Sequence, residues 1–170
     1  MELYIKAGGA VLIAASGILA GICASREYAQ RVREIEAMIL NLGRMRAEIE
    51  LRLTPMDEIF RELALSDGPC ALFFTSLSTA LSEENEDTLH LLWQRAAMEA
   101  FKPSAERDIL IELGTSLGCL DAEQECRAID YTITRLRTDL EQAREENMTQ
   151  GVLRKRLGAA AGIGLAILFL

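Results

Sequence analysis

The residues with chemistry to offer are few and scattered. One histidine, His90, stands among 170 residues, so no His-rich metal site can form. No G-x-x-x-x-G-K-[ST] or G-x-G-x-x-G run is present to cradle phosphates, which argues against nucleotide hydrolysis by this chain alone. Cys23, Cys70, Cys119 and Cys126 include no C-x-x-C pair. Their scatter fits neither a disulfide framework nor a zinc site, and the expected state is small, reduced core residues in a reducing compartment. Carboxylates such as Glu48 and Asp57 are the remaining acid–base candidates, and would make the chain a membrane-anchored enzyme. Nothing brackets them with a nucleophile, metal ligands or an oxyanion donor, so the chain reads as a non-enzyme without cofactor or metal.

Composition narrows the class further. Against 18 Lys+Arg stand 26 Asp+Glu, a formal net charge of −8, and no basic face for nucleic acid is evident. Half the residues are hydrophobic but only 5% are aromatic, which predicts an aliphatic, helix-favouring core.

Both ends are apolar. Ala7 to Ser25 holds no charged residue, and at about 1.5 Å per residue it reaches about 28 Å, close to the hydrocarbon thickness of a bilayer. The alternative is a cleaved signal peptide, but Glu2 offsets the lone Lys6 of its n-region. Leu157 to Leu170 is shorter, about 21 Å, and either crosses a locally thinned bilayer or dips part way. Arg26, Arg31 and Arg33 follow the first run, and Arg154, Lys155 and Arg156 precede the second. The positive-inside rule then puts the middle of the chain in the cytosol. Gly17 and Gly21, and likewise Gly158 and Gly162, stand four apart, a spacing that lets helix backbones approach in lipid, either between the two segments or between neighbouring copies in a homo-oligomer. The expected organisation is a transmembrane segment over 1–25, a cytosolic helical bundle over 26–156 and a membrane segment over 157–170.

The middle reads as helices throughout. Tyr28, Val32, Ile35, Ile39, Leu42, Ile49 and Leu53 line one face of a long first helix, with a double step over Met45 and Arg46. Thr54-Pro55 predicts a second start, Thr54 as N-cap, for a helix bearing Ile59, Phe60 and Leu63. A third carries Leu72, Phe73, Leu77 and Leu81; a fourth Leu89, Leu92, Trp93, Ala96 and Ala97. Ser104 caps a fifth, with Ile109, Leu110, Leu113 and Leu117, ended by Gly118. Asp121 and Gln124 have capping-box spacing for the sixth, where Cys126, Ile129, Ile133, Leu136, Leu140 and Ala143 alternate three and four. First and sixth, the two long helices, are expected to pair antiparallel, giving an all-α, six-helix cytosolic bundle flanked by an N-terminal and a short C-terminal transmembrane helix.

Several stretches carry a resemblance: Glu48-x-x-Leu51-x-x-Thr54-Pro55-Met56, the segment Glu112-Leu113-Gly114-Thr115-Ser116-Leu117-Gly118-Cys119-Leu120-Asp121 followed by Gln124, and the tail from Arg154 to Leu170. In order and spacing they resemble the stage III sporulation protein AB family nearly end to end; Ser66 to Asp87 holds no family motif. That family is similar to the cytoplasmic helical domain of the platform protein of type II secretion machines. The resemblance implies a membrane platform or adaptor in the mother-cell-derived membrane around the forespore. It would couple the neighbouring ATPase, stage III sporulation protein AA, to the other subunits of a transport channel required for endospore formation. The alternative is a structural pore subunit or a scaffold without ATPase coupling.

Two stretches are candidates for partner contact. Glu83, Glu84, Glu86 and Asp87 form the densest negative run, which is either a solvated loop or a surface for a basic partner. In the second, Gly114 and Gly118 either allow close helix packing and a left-handed helix stop before Asp121, or form with it a turn that a partner reads.

Overall fold

The computed structural model describes the backbone of residues 2–52, 54–83, 87–118 and 121–151, with 153, 157 and 160 beyond them, and side chains chiefly from Arg26 onward. Among the described residues six α-helices follow one another: α1 (Glu2–Arg52), α2 (Met56–Ala64), α3 (Ala71–Ser82), α4 (Leu89–Ala100), α5 (Ala105–Gly114) and α6 (Ala122–Glu146), which runs into a π-helical turn, Asn147–Gly151. There is no strand among the described residues, so the protein is all-helical, as its periodicity predicts. The chain forms two compact units, 1–32 with 141–170, and 33–140.

Among the described residues no helix is long and apolar enough to cross a membrane. Residues 7–25 are helical within α1, but their side chains, save those of Ser16 and Leu19, lie outside the described residues, as does most of 158–170. The two membrane segments expected there fall in those stretches.

In the unit 33–140 the short helices pack in succession, α2 on α3, α3 on α4 and α4 on α5. The few aromatics gather at their centre. Phe73 meets Trp93 edge to face at 4.8 Å and Phe74 at 4.9 Å between ring centroids, while Phe60 lies 5.9 Å from Trp93. Such edge contacts set the positive rim of one ring on the negative face of another. The Trp93 indole is fully buried, so its N–H needs a partner; it donates to the Leu110 carbonyl at 2.7 Å.

Around this cluster run the two long helices. On α1 the buried apolar residues are Ile35, Met38, Leu42, Met45 and Ile49; on α6 they are Cys126, Ile129, Ile133, Leu136, Leu140 and Ala143. Both sets alternate steps of three and four, the spacing of paired helices. The helices run antiparallel: Arg46 donates to Asp130 at 2.8 Å and Cys126 Sγ to the Arg46 carbonyl at 3.8 Å in one unit, and Arg31 pairs with Glu146 at 2.6 Å in the other.

Four local expectations are corrected. Thr54 is not the cap of α2: Pro55 holds that place, extended at φ −59° and ψ 145°, and its carbonyl takes the bonds from Glu58 and Ile59 N–H. The Thr54 hydroxyl instead donates to Glu48 Oε2 at 3.0 Å. On α1, Met45 is fully buried, where the double step passes over it, and Met38 joins it. On α3, Phe74 turns inward and Leu72 outward, because the face is set by packing against α2 and α4 on two sides. Finally, α5 stops at Gly114 rather than at Gly118. Thr115 and Ser116 N–H bond three residues back, to Glu112 and Leu113, tightening the chain into turns while Leu117 stays buried.

Candidate functional site

The described residues Glu112 to Gly118 and Asp121 to Glu125 stand between the body of α5 and that of α6, and several of them are tied down by specific contacts. Gly114 sits on the Trp93 ring: a Cβ placed there would lie 2.5 Å from Trp93 Cδ1 and 2.9 Å from Cγ. No side chain fits that gap, so glycine is the residue that lets α5 and α4 approach this closely. Gly118 has φ +76°, the left-handed region that glycine enters without steric penalty. Its N–H donates to Glu125 Oε1 at 2.7 Å, and Glu125 is only 7% exposed. The carboxylate thus serves two needs, accepting an otherwise orphaned turn N–H and lying in the first turn of α6, where the helix dipole favours negative charge.

Asp121 completes the corner. Its Oδ1 accepts from Gln124 N–H at 2.8 Å, and its Oδ2 from the Gln124 side chain at 3.0 Å. This is half of the capping box: the backbone bond forms, while Gln124 returns to the Asp121 side chain instead of its N–H. Above the corner Arg135 of α6 holds Glu112 of α5, an ion pair that raises the Arg135 pKa, and the Arg135 guanidinium lies 5.6 Å from the Tyr131 ring centroid. Glu125 and Arg135 escape a reading of the sequence because each acts across a turn. The available signal for Glu125 was a carboxylate beside Cys126, on the buried side of α6.

The other candidate residues do not converge on this corner. Glu83 is exposed and Asp87 accepts from Arg95 at 3.1 Å, whereas Glu84 and Glu86 lie outside the described residues. Gly17 and Gly21 fall within α1 but their surroundings, like Gly158 and Gly162 altogether, lie outside the described residues. Glu48 accepts from Arg52 and Thr54, and Asp57 pairs with Arg61 at 3.6 Å; each carboxylate is spoken for by its own neighbourhood rather than aimed at the other. Among the described residues no group of three or more His, Cys, Asp or Glu side chains is placed to hold a metal.

Cys70 shows how little reactive chemistry the core offers. It is 1% exposed and its Sγ donates to the Glu34 carbonyl at 3.7 Å. Burial pushes the thiol up to about 12, with a hydrogen bond to Asn41 pulling the other way. At pH 8 the thiolate, the form that reacts, is therefore about a thousandfold or more scarcer than in a free cysteine. Iodoacetamide labelling of the folded chain, followed peptide by peptide, should be slower at Cys70 by that order; labelling at the free-cysteine rate would show the site open. The same shift has a sign for stability. Below about pH 8.5 both folded and unfolded chains keep the proton. Above it the unfolded chain loses it first, so this residue's contribution falls as pH rises from about 8.5 toward about 12.

The geometry defines a class first: a helical protein whose α5–α6 corner is built of caps, an ion pair and a close helix contact. The sequence profile of stage III sporulation protein AB matches residues 6–170, and the chain belongs to that family. It is 25% identical to stage III sporulation protein AB of Bacillus subtilis (strain 168) over 98% of this chain and 99% of that one. A solved structure of a stage III sporulation protein AB superposes with a TM-score of 0.63 at 21% identity, covering 69% of this chain and 96% of the other. The protein is therefore a sporulation protein, and its family is not a known enzyme family.

Proposed function

We propose that this chain is a membrane platform of the sporulation channel that couples a secretion-type ATPase, stage III sporulation protein AA, to the transport complex between mother cell and forespore. The observation that carries the reading is the antiparallel arrangement of α1 and α6, with Arg46 opposite Asp130 and Arg31 opposite Glu146. An arrangement of this kind suits a bundle held to one membrane by both ends, with 26–156 in the mother-cell cytosol. Basic residues beside both runs, Arg26, Arg31 and Arg33 and then Arg154 to Arg156, support that orientation. The ATPase contact is assigned to the cytosolic helices, with the Glu83 loop and the Gly114–Asp121 corner as its first candidates.

Photocrosslinking amino acids at Glu83 and Arg127, both exposed, test the coupling in membranes of sporulating cells. Recovery of the ATPase through either position is the expected result. Recovery of channel subunits alone, with no ATPase, would leave a scaffold or pore component and sink the coupling.

A further inference from the structure

The buried row of α6 steps by three and four as far as Ala143. Carried on as an unbroken α-helix, the same count would bring Asn147, Gln150, Arg154 and Leu157 to that side. The chain does otherwise. Asn147–Gly151 is a π-helical turn, in which each backbone bond closes one residue further along than in an α-helix. The turn therefore takes up one extra residue, and the count beyond it resumes one place later, at Lys155, Gly158 and Gly162. Exposure agrees with the shifted count. Leu157, which an unbroken α-helix would put in the row, is 58% exposed, and with it Leu153 and Ala160 are exposed. At about 100° per residue these three stand about 100–180° from positions 158 and 162. On α1 no such step is needed: going back from Ile35 by four and three gives Arg31, Tyr28, Ala24, Gly21 and Gly17. The exposed Ser16 and Leu19 lie about 100–160° from that line.

We infer that the π-helical turn rephases the C-terminal run so that Gly158 and Gly162 are set against Gly21 and Gly17 of the same chain, a pairing of the two end segments with each other rather than with neighbouring copies. Height along the helices agrees with phase. Arg31 pairs with Glu146 at 2.6 Å. Gly21 and Gly17 stand 10 and 14 residues back from Arg31, about 15 and 21 Å along α1. Gly158 and Gly162 stand 12 and 16 residues on from Glu146; with one residue taken up by the turn, that is about 16 and 22 Å. The helices run antiparallel there, so each glycine of one segment meets a glycine of the other at nearly the same height. Without the turn, the second pair would face about 100° away. In lipid, apolar side chains gain nothing by leaving solvent for each other, and close approach of backbones at small residues is what draws helices together. The inference rests on the membrane reading of both ends proposed above. A contact between copies would need the glycines on the outer side, where Leu19, Leu153 and Leu157 stand instead.

Disulfide trapping in the full chain, carried out in membranes, tests this, because a bridge closes only between Cα atoms within about 7 Å. Cys23 and Cys119 are replaced by alanine; Cys70 and Cys126, both buried, stay. Under mild oxidation Gly21→Cys with Gly158→Cys is expected to close a bridge within one chain, and Gly21→Cys with Leu157→Cys at least tenfold less of it. Ala24→Cys with Lys155→Cys leaves the glycines intact and should behave as the first pair. Deleting Gln150 removes the residue that the turn takes up, so the Gly158 bridge should persist; inserting an alanine after Gly151 should move it to Leu157. A bridge that prefers Leu157 in the native-length chain, bridges between chains only, or loss of the Gly158 bridge on deletion of Gln150 each overturn the inference. So does failure of both row pairs to bridge. Alkaline extraction of the same membranes tests the anchoring separately: a chain that washes off while still forming the Gly158 bridge loses the membrane reading and keeps the pairing.

Discussion

Trp93→Ala is expected to lower the stability of the chain by about 3–5 kcal/mol, the range for deleting a large aromatic from a packed core. The residue is fully buried, touches Phe60 and Phe73, and ties α4 to α5 through Leu110. Gly114→Ala acts on the same contact from the other side. Its new Cβ would meet the indole at 2.5 Å, and overpacking of this kind costs about 1–3 kcal/mol. The two changes should not add. With the indole removed, the methyl introduced by Gly114→Ala enters the space it left, so the penalty of that change should largely vanish in the Trp93→Ala background. Chemical denaturation of the four chains in detergent closes this cycle. Simple additivity would mean that Gly114 is glycine for some reason other than the indole.

Leu136→Asp is the second large effect. Leu136 is 1% exposed in the middle of the α6 row, and a carboxylate there would be buried without a partner, since the neighbouring Arg135 already holds Glu112. A buried unpaired charge costs about 3–5 kcal/mol. The loss should shrink as pH falls and the new side chain takes up a proton, which a simple loss of packing would not do. Thr138→Asp, exposed two residues further along the same helix, should change stability by no more than about 0.5 kcal/mol. If thermal unfolding of Leu136→Asp matched that of Thr138→Asp, the row would not be a buried seam.

The long helices were legible because their burial is periodic along the chain: Cys126 to Ala143 reads correctly from spacing alone. Met38 and Met45 were passed over on α1, where methionine's unbranched side chain fills core gaps as readily as leucine. Thr54 looked like a cap because of its type, yet the extended ψ of Pro55 decides where the helix begins. On α3 spacing put Leu72 in the buried row and left Phe74 out, since apolar residues stand on both sides of this helix and only its neighbours choose the inward one. At the α5–α6 corner the backbone requirement at Gly118 was visible and its partner was not. The bond to Glu125 depends on the path of the turn, which short-range spacing does not encode.

The alternation of three and four along α1 and α6 makes the paired segment a counted structure. Seven residues bring the apolar face back to the same side of each helix, whereas a single inserted residue would turn everything beyond it by about 100° and carry the buried row to the outside. A change in the length of this pairing therefore keeps both rows buried only when it is matched in the two helices, in steps of about 10 Å. The length of the paired row is set in whole repeats, by the same spacing that holds it together.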